Sequence, residues 1–151
     1  MIRKILACVL GGFLGGLFNI SLISISNWAY PLPEGVDPND LDALAAHVKA
    51  NGMATGALII VLVAHAGGSL VSGLVCGMIA MRSWYVAAIS LGFFWTLGGI
   101  MMLTILPSPI WFAVTDLLLY VPAAVLGVML GGRLTGRCSQ HSTASDPIVT
   151  P

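Results

Sequence analysis

The segment Ile110-Trp-Phe-Ala-Val-Thr-Asp-Leu-Leu-Leu-Tyr-Val-Pro-Ala-Ala-Val-Leu-Gly-Val-Met-Leu130 contains one charged residue, Asp116, in a run of apolar side chains. At 1.5 Å per residue a helix over this stretch is about 30 Å long, the thickness of a bilayer's hydrocarbon core. Three more runs qualify, at Ile5–Ser26, Met53–Met81 and Trp84–Leu106. The sequence therefore predicts an all-α protein, a four-helix transmembrane bundle occupying residues 1–138 as a single domain.

Composition agrees. Of the 151 residues 58% are hydrophobic and 8% charged, with a mean hydropathy of +0.97, whereas soluble domains carry roughly 25% charged residues. A formal net charge of zero and the lack of a basic patch argue against a nucleic-acid partner. Cys8, Cys76 and Cys138 lack metal-ligand spacing, and no metal or cofactor is expected. The first apolar run exceeds the usual signal-peptide core, ends without a small-x-small cleavage site, and reads as a permanent anchor; Cys8 stands too near Met1 to be a lipoprotein cysteine.

Arg3 and Lys4 precede the first span, Arg82 separates the second and third, and Arg133 and Arg137 follow the fourth; only Lys49 falls in the other set of loops. By the positive-inside rule both termini are cytoplasmic, and all three cysteines, on or near that side, are reduced thiols. Trp28, Tyr30, Trp84, Tyr85, Trp111 and Phe112 stand at span ends, where amphipathic rings meet headgroups. Trp95 is placed mid-span, where its N–H needs a partner inside the bundle.

The long connection, residues 27–52, is the outer loop. After the Pro31-Leu32-Pro33-Glu34-Gly35 turn, Asp37 can cap a short amphipathic helix beginning at Pro38, with Leu41, Leu44, Ala45 and Val48 at helical spacing up to Asn51-Gly52. We expect this helix on the outer membrane surface, the alternative being a lid over the bundle mouth, and expect His47 to be solvated. Pro107 and Pro109 make a tight turn that sets the last two spans antiparallel. The polar 139–151 tail reads as disordered and cytoplasmic.

In lipid, helices associate largely by close approach at small residues. The first span offers Gly11-Gly12 and Gly15-Gly16, from which Gly12 and Gly16 are taken as the packing row; the second offers Ser69, Gly73 and Gly77, and the fourth Ala123, Gly127 and Gly131. These rows are assigned to packing within one chain, with a homo-oligomer as the alternative. No internal repeat suggests the inverted halves of a transporter.

Ionisable residues inside spans are costly and mark candidate sites. Asp116 and Tyr120, one turn apart, share a face with Ala123, Ala124 and Gly127; His65 shares one with Gly68, Ser69, Ser72 and Cys76. Asn19 and Thr96 fall at comparable depth, so each span can bring one polar group to the outer half. The five form either an interhelical hydrogen-bonded joint, roughly 0.6–2 kcal/mol per contact, or a proton-responsive site, histidine being the side chain that titrates near neutral pH.

The pattern Tyr30-Pro31-x-Pro33-x-Gly35-x-Asp37, His65-Ala66-x-Gly68-Ser69, Leu97-Gly98-Gly99-Ile100 and Pro107-x-Pro109-x-Trp111-Phe112-x-x-x-Asp116-Leu117-x-x-Tyr120-x-Pro122-Ala123-Ala124 runs through nearly the whole chain. It resembles a family of small four-span bacterial inner-membrane proteins of unassigned activity. The resemblance implies the fold and a bacterial inner membrane, and assigns no catalytic or binding residue.

Three functional classes follow. An accessory or structural membrane component, with the lipid bilayer and a homo-oligomer or membrane complex as partners, fits the size and the glycine-rich faces best. A small oligomeric channel or proton-coupled transporter would use His65, Asp116 and Tyr120. A lipid- or quinone-modifying enzyme would use His65 and Asp116 as acid and base, but no nucleophile motif accompanies them.

Overall fold

Backbone amides in a bilayer core find no water, so each must be satisfied within its own segment, and helices result. The structure, a computed structural model, describes residues 2–79 and 84–135. It has α1 (Ile2–Ala29), α2 (Leu41–Asn51), α3 (Thr55–Ile79), α4 (Trp84–Ile105) and α5 (Ile110–Leu134). All but α2 are long and apolar enough to cross a membrane. The chain is a multi-pass membrane protein built as a four-helix bundle. The expectations for Arg82, Arg137, Cys138 and the 139–151 tail fall outside the described residues.

Helix α3 is the hub, packing against α5 on one side and α1 on the other, and α4 closes onto α5. Residue size is distributed inside out. Ala7, Ala64, Ala88, Cys76 and Ala124 are fully buried, while Phe13, Ile20, Val63, Phe94 and Leu118 face outward. Outward apolar side chains cost nothing in lipid, and an interior of small residues lets helix backbones touch.

Helices α3 and α5 approach closely along a glycine seam. A methyl group added at Gly73 or Gly77 would strike the carbonyls of Ala124 or Val128; one at Gly127 or Gly131 would strike those of Leu70 or Leu74. Two rows of glycine thus interlock reciprocally, with Ser69 and Ala123 buried alongside. On α1 the packing row is displaced by one residue from the expected one. Gly11 and Gly15 lie against Ser72 and Gly68 of α3, whereas a methyl group added at Gly12 or Gly16 would meet no other helix. Successive helix positions are about 100° apart, so only one glycine of each pair can face α3.

Helix α2 differs from expectation in its start. Asp37 Oδ1 accepts from the N–H and the side-chain amide of Asn39, closing a local turn. Asp40 is the N-cap, its side chain accepting from the N–H groups of Asp42 and Ala43. The helix begins at Leu41, after the turn, so Pro38 lies outside it. Gly35 and Gly52, at φ of 92° and 73°, supply the left-handed backbone needed to fold the segment back. The apolar stripe of α2 consequently turns over the bundle mouth, and Val48 is 4% exposed.

Candidate functional site

Below the mouth, glycine contacts hold α3 and α5 backbone to backbone; nearer α2 larger side chains fill the seam. His65 and Ser69 sit one turn apart on α3, facing Asp116 and Tyr120 one turn apart on α5. His65 Nδ1 lies 2.8 Å from Asp116 Oδ1 and 2.8 Å from the Tyr120 hydroxyl. That hydroxyl donates to Asp116 Oδ2 at 2.9 Å. Asp116 and Tyr120 are each 1% exposed.

This triangle fixes the protons. The one hydrogen of the phenol goes to Asp116 Oδ2, so the phenol oxygen and Asp116 Oδ1 both need a donor. With Asp116 ionised, the donor that both can share among the described residues is His65 Nδ1–H. Nδ1 therefore carries a proton, and Nε2 makes no hydrogen bond among the described residues.

The surroundings lock the triangle in place. Ser69 Oγ donates to the Tyr120 carbonyl at 2.8 Å, tying α3 to α5 just ahead of Pro122. Trp95 of α4 stacks on Tyr120, with centroids 6.4 Å apart and planes 14° off parallel. Its indole N–H donates to Ser72 Oγ at 3.0 Å, the partner its mid-span position demanded. Gly99 lies against the Tyr120 ring, leaving no room for a side chain there.

Of the five candidate residues, the structure brings together His65, Asp116 and Tyr120. Thr96 is not with them: its hydroxyl donates to the Gly92 carbonyl of its own helix at 2.8 Å. Asn19 lies beside Gly68 and Trp95, and its buried Oδ1 has no partner among the described residues. Counted from the helix starts, His65 is about 15 Å along α3 and Asp116 about 9 Å along α5. Their contact means that α3 starts about one turn higher than α5.

Beside the triangle opens a cavity of about 570 Å³, within the range of small-molecule sites. His65 and Asp116 form its floor, Ala57, Leu58, Val61, Met102 and Phe112 are among its walls, and Leu41, Leu44, His47 and Val48 of α2 form its roof. Helix α2 thus lies over the mouth of the bundle, as a lid would. His47 borders this space while remaining partly exposed, and the Asn51 side-chain amide donates to its Nδ1 at 3.2 Å. Among the described residues no group of three or more His, Cys, Asp or Glu is placed to hold a metal ion.

The sequence marks Ser69 for packing alone and gives no site role to Trp95, Ser72 or His47. A tryptophan with a polar N–H in the middle of an apolar span was the available signal for Trp95 and its partner. Compared with protein-family profiles, curated proteins and solved structures, the chain finds no match.

Proposed function

We propose that this protein is an accessory membrane component whose working part is a lidded cavity that binds an amphipathic lipophile. The supporting observation is the 570 Å³ space with apolar walls, an ionisable floor and a helical roof. A purely structural bundle has no need of such a space beside a buried carboxylate.

A channel through one chain is disfavoured, because below the cavity Gly73, Gly77, Gly127 and Gly131 bring α3 and α5 into backbone contact. Acid–base chemistry on the bound molecule is the second reading. It is favoured by the Nδ1 of His65 held at Asp116 and by an Nε2 without a hydrogen bond among the described residues, the arrangement of a general base held by a carboxylate.

The bilayer in question is a bacterial inner membrane. The family resemblance supports the source, and the basic residues at Arg3, Lys4 and Arg133 support cytoplasmic termini. Helix α2 and the cavity mouth then lie on the outer side, and the partners are the bilayer and the bound lipophile. Reporter fusions at each terminus test the orientation.

The binding reading is tested by native mass spectrometry of protein extracted with its surrounding bilayer. Wild type is expected to retain one small lipophile that Val61→Trp, which puts an indole into the cavity, loses. An identical lipid pattern in the two proteins would overturn it.

A further inference from the structure

The hydrogen-bond network beside the cavity restricts which lipophile can bind. Resting on the cavity-binding reading above, we infer that the ligand is a neutral lipid bearing a hydroxyl group, held by donation of its O–H to Nε2 of His65.

Two observations lead there. The first is the proton assignment. Because Nδ1–H serves Asp116 and Tyr120, neutral imidazole has only the lone pair of Nε2 left to offer, and a lone pair selects a donor. An ether, ester or ketone presents acceptors only.

The second observation is charge. Asp116 is buried at the floor, and the residues around the cavity include no lysine or arginine. A fatty carboxylate or a phosphate would place a second anion beside Asp116 in an apolar space, with no lysine or arginine there to compensate it. Headgroups of that kind are disfavoured, leaving neutral hydroxyls such as those of polyisoprenoid alcohols, monoacylglycerols and quinols.

The test uses the full chain in lipid nanodiscs, with dodecan-1-ol, its methyl ether and dodecanoic acid as probes at neutral pH. Binding is followed by the ¹⁵N resonance of His65 Nε2 and by displacement of the co-purified lipophile. The alcohol is expected to shift that resonance and to bind at least tenfold more tightly than the ether, while dodecanoate displaces nothing. Farnesol, monolauroylglycerol and a short-chain quinol, ranked in the same assay, distinguish the sources of the hydroxyl.

Equal affinity for alcohol and ether would overturn the hydroxyl assignment and leave the lipophile cavity standing. Failure of every probe, with no co-purified lipophile, would overturn both. His65→Gln should reduce the alcohol–ether difference to under twofold; the wild-type comparison stands even if this variant does not fold.

Discussion

The Tyr120 hydroxyl donates to Asp116 Oδ2 at 2.9 Å while lying 2.8 Å from His65 Nδ1, so one phenol joins a carboxylate of its own helix to an imidazole of the facing one. Removing the hydroxyl leaves a buried carboxylate oxygen without its donor. Tyr120→Phe should therefore destabilise the bundle by about 1–3 kcal/mol. Reversible unfolding in mixed micelles measures this, and an unchanged midpoint would show that the triangle contributes no stability.

Adjacent glycines on α1 give a sharper test of packing. Gly11→Leu drives a side chain into the Ser72 carbonyl of α3, whereas Gly12→Leu points into open space. The first should cost at least about 1–3 kcal/mol, as overpacked interiors do, and the second no more than about 0.5 kcal/mol. Equal losses measured by thermal unfolding would contradict the assigned rotation of α1.

The α1–α3 interface also carries a chemical ruler. The sulfurs of Cys8 and Cys76 lie 3.7 Å apart. In a Cys138→Ser background, copper-phenanthroline oxidation should form an intrachain disulfide, read as a mobility shift that reverses with reductant. Cys8→Ser should abolish it. Persistent free thiols under conditions that oxidise exposed cysteines would place the two helices wrongly.

The lid can be loosened alone. Asp40→Ala removes the N-cap of α2 at a cost of about 1 kcal/mol. Amide exchange over residues 41–51 should quicken about fivefold, with the unfolding midpoint of the bundle unchanged. A coupled drop in that midpoint would mean that α2 is part of the bundle's cooperative unit.

Much of this was legible in the chain. Span length and the i, i+4 placement of Asp116 and Tyr120 predict a polar face shared with Ala123 and Gly127, and the glycine rows of α3 and α5 meet as their spacing implies. The rotation of α1 was not legible, because a double-glycine repeat offers two equivalent faces and only the partner selects one. The position of α2 was hidden for a related reason. An apolar stripe shows which side seeks cover, and lipid or a cavity covers it equally well. Thr96 misled because a hydroxyl in a helix can satisfy itself on the preceding turn, as it does on Gly92.

The inside-out distribution of residue size reverses the usual rule of tolerance. In a soluble domain, trimming interior side chains does the damage. Here the interior is already trimmed, and a saturation scan should find enlargement, not truncation, to be the lethal direction along α3 and α5. The bulky outward positions should accept any oily residue. Recasting the molecule for water would therefore mean recolouring its exterior while leaving every glycine contact untouched.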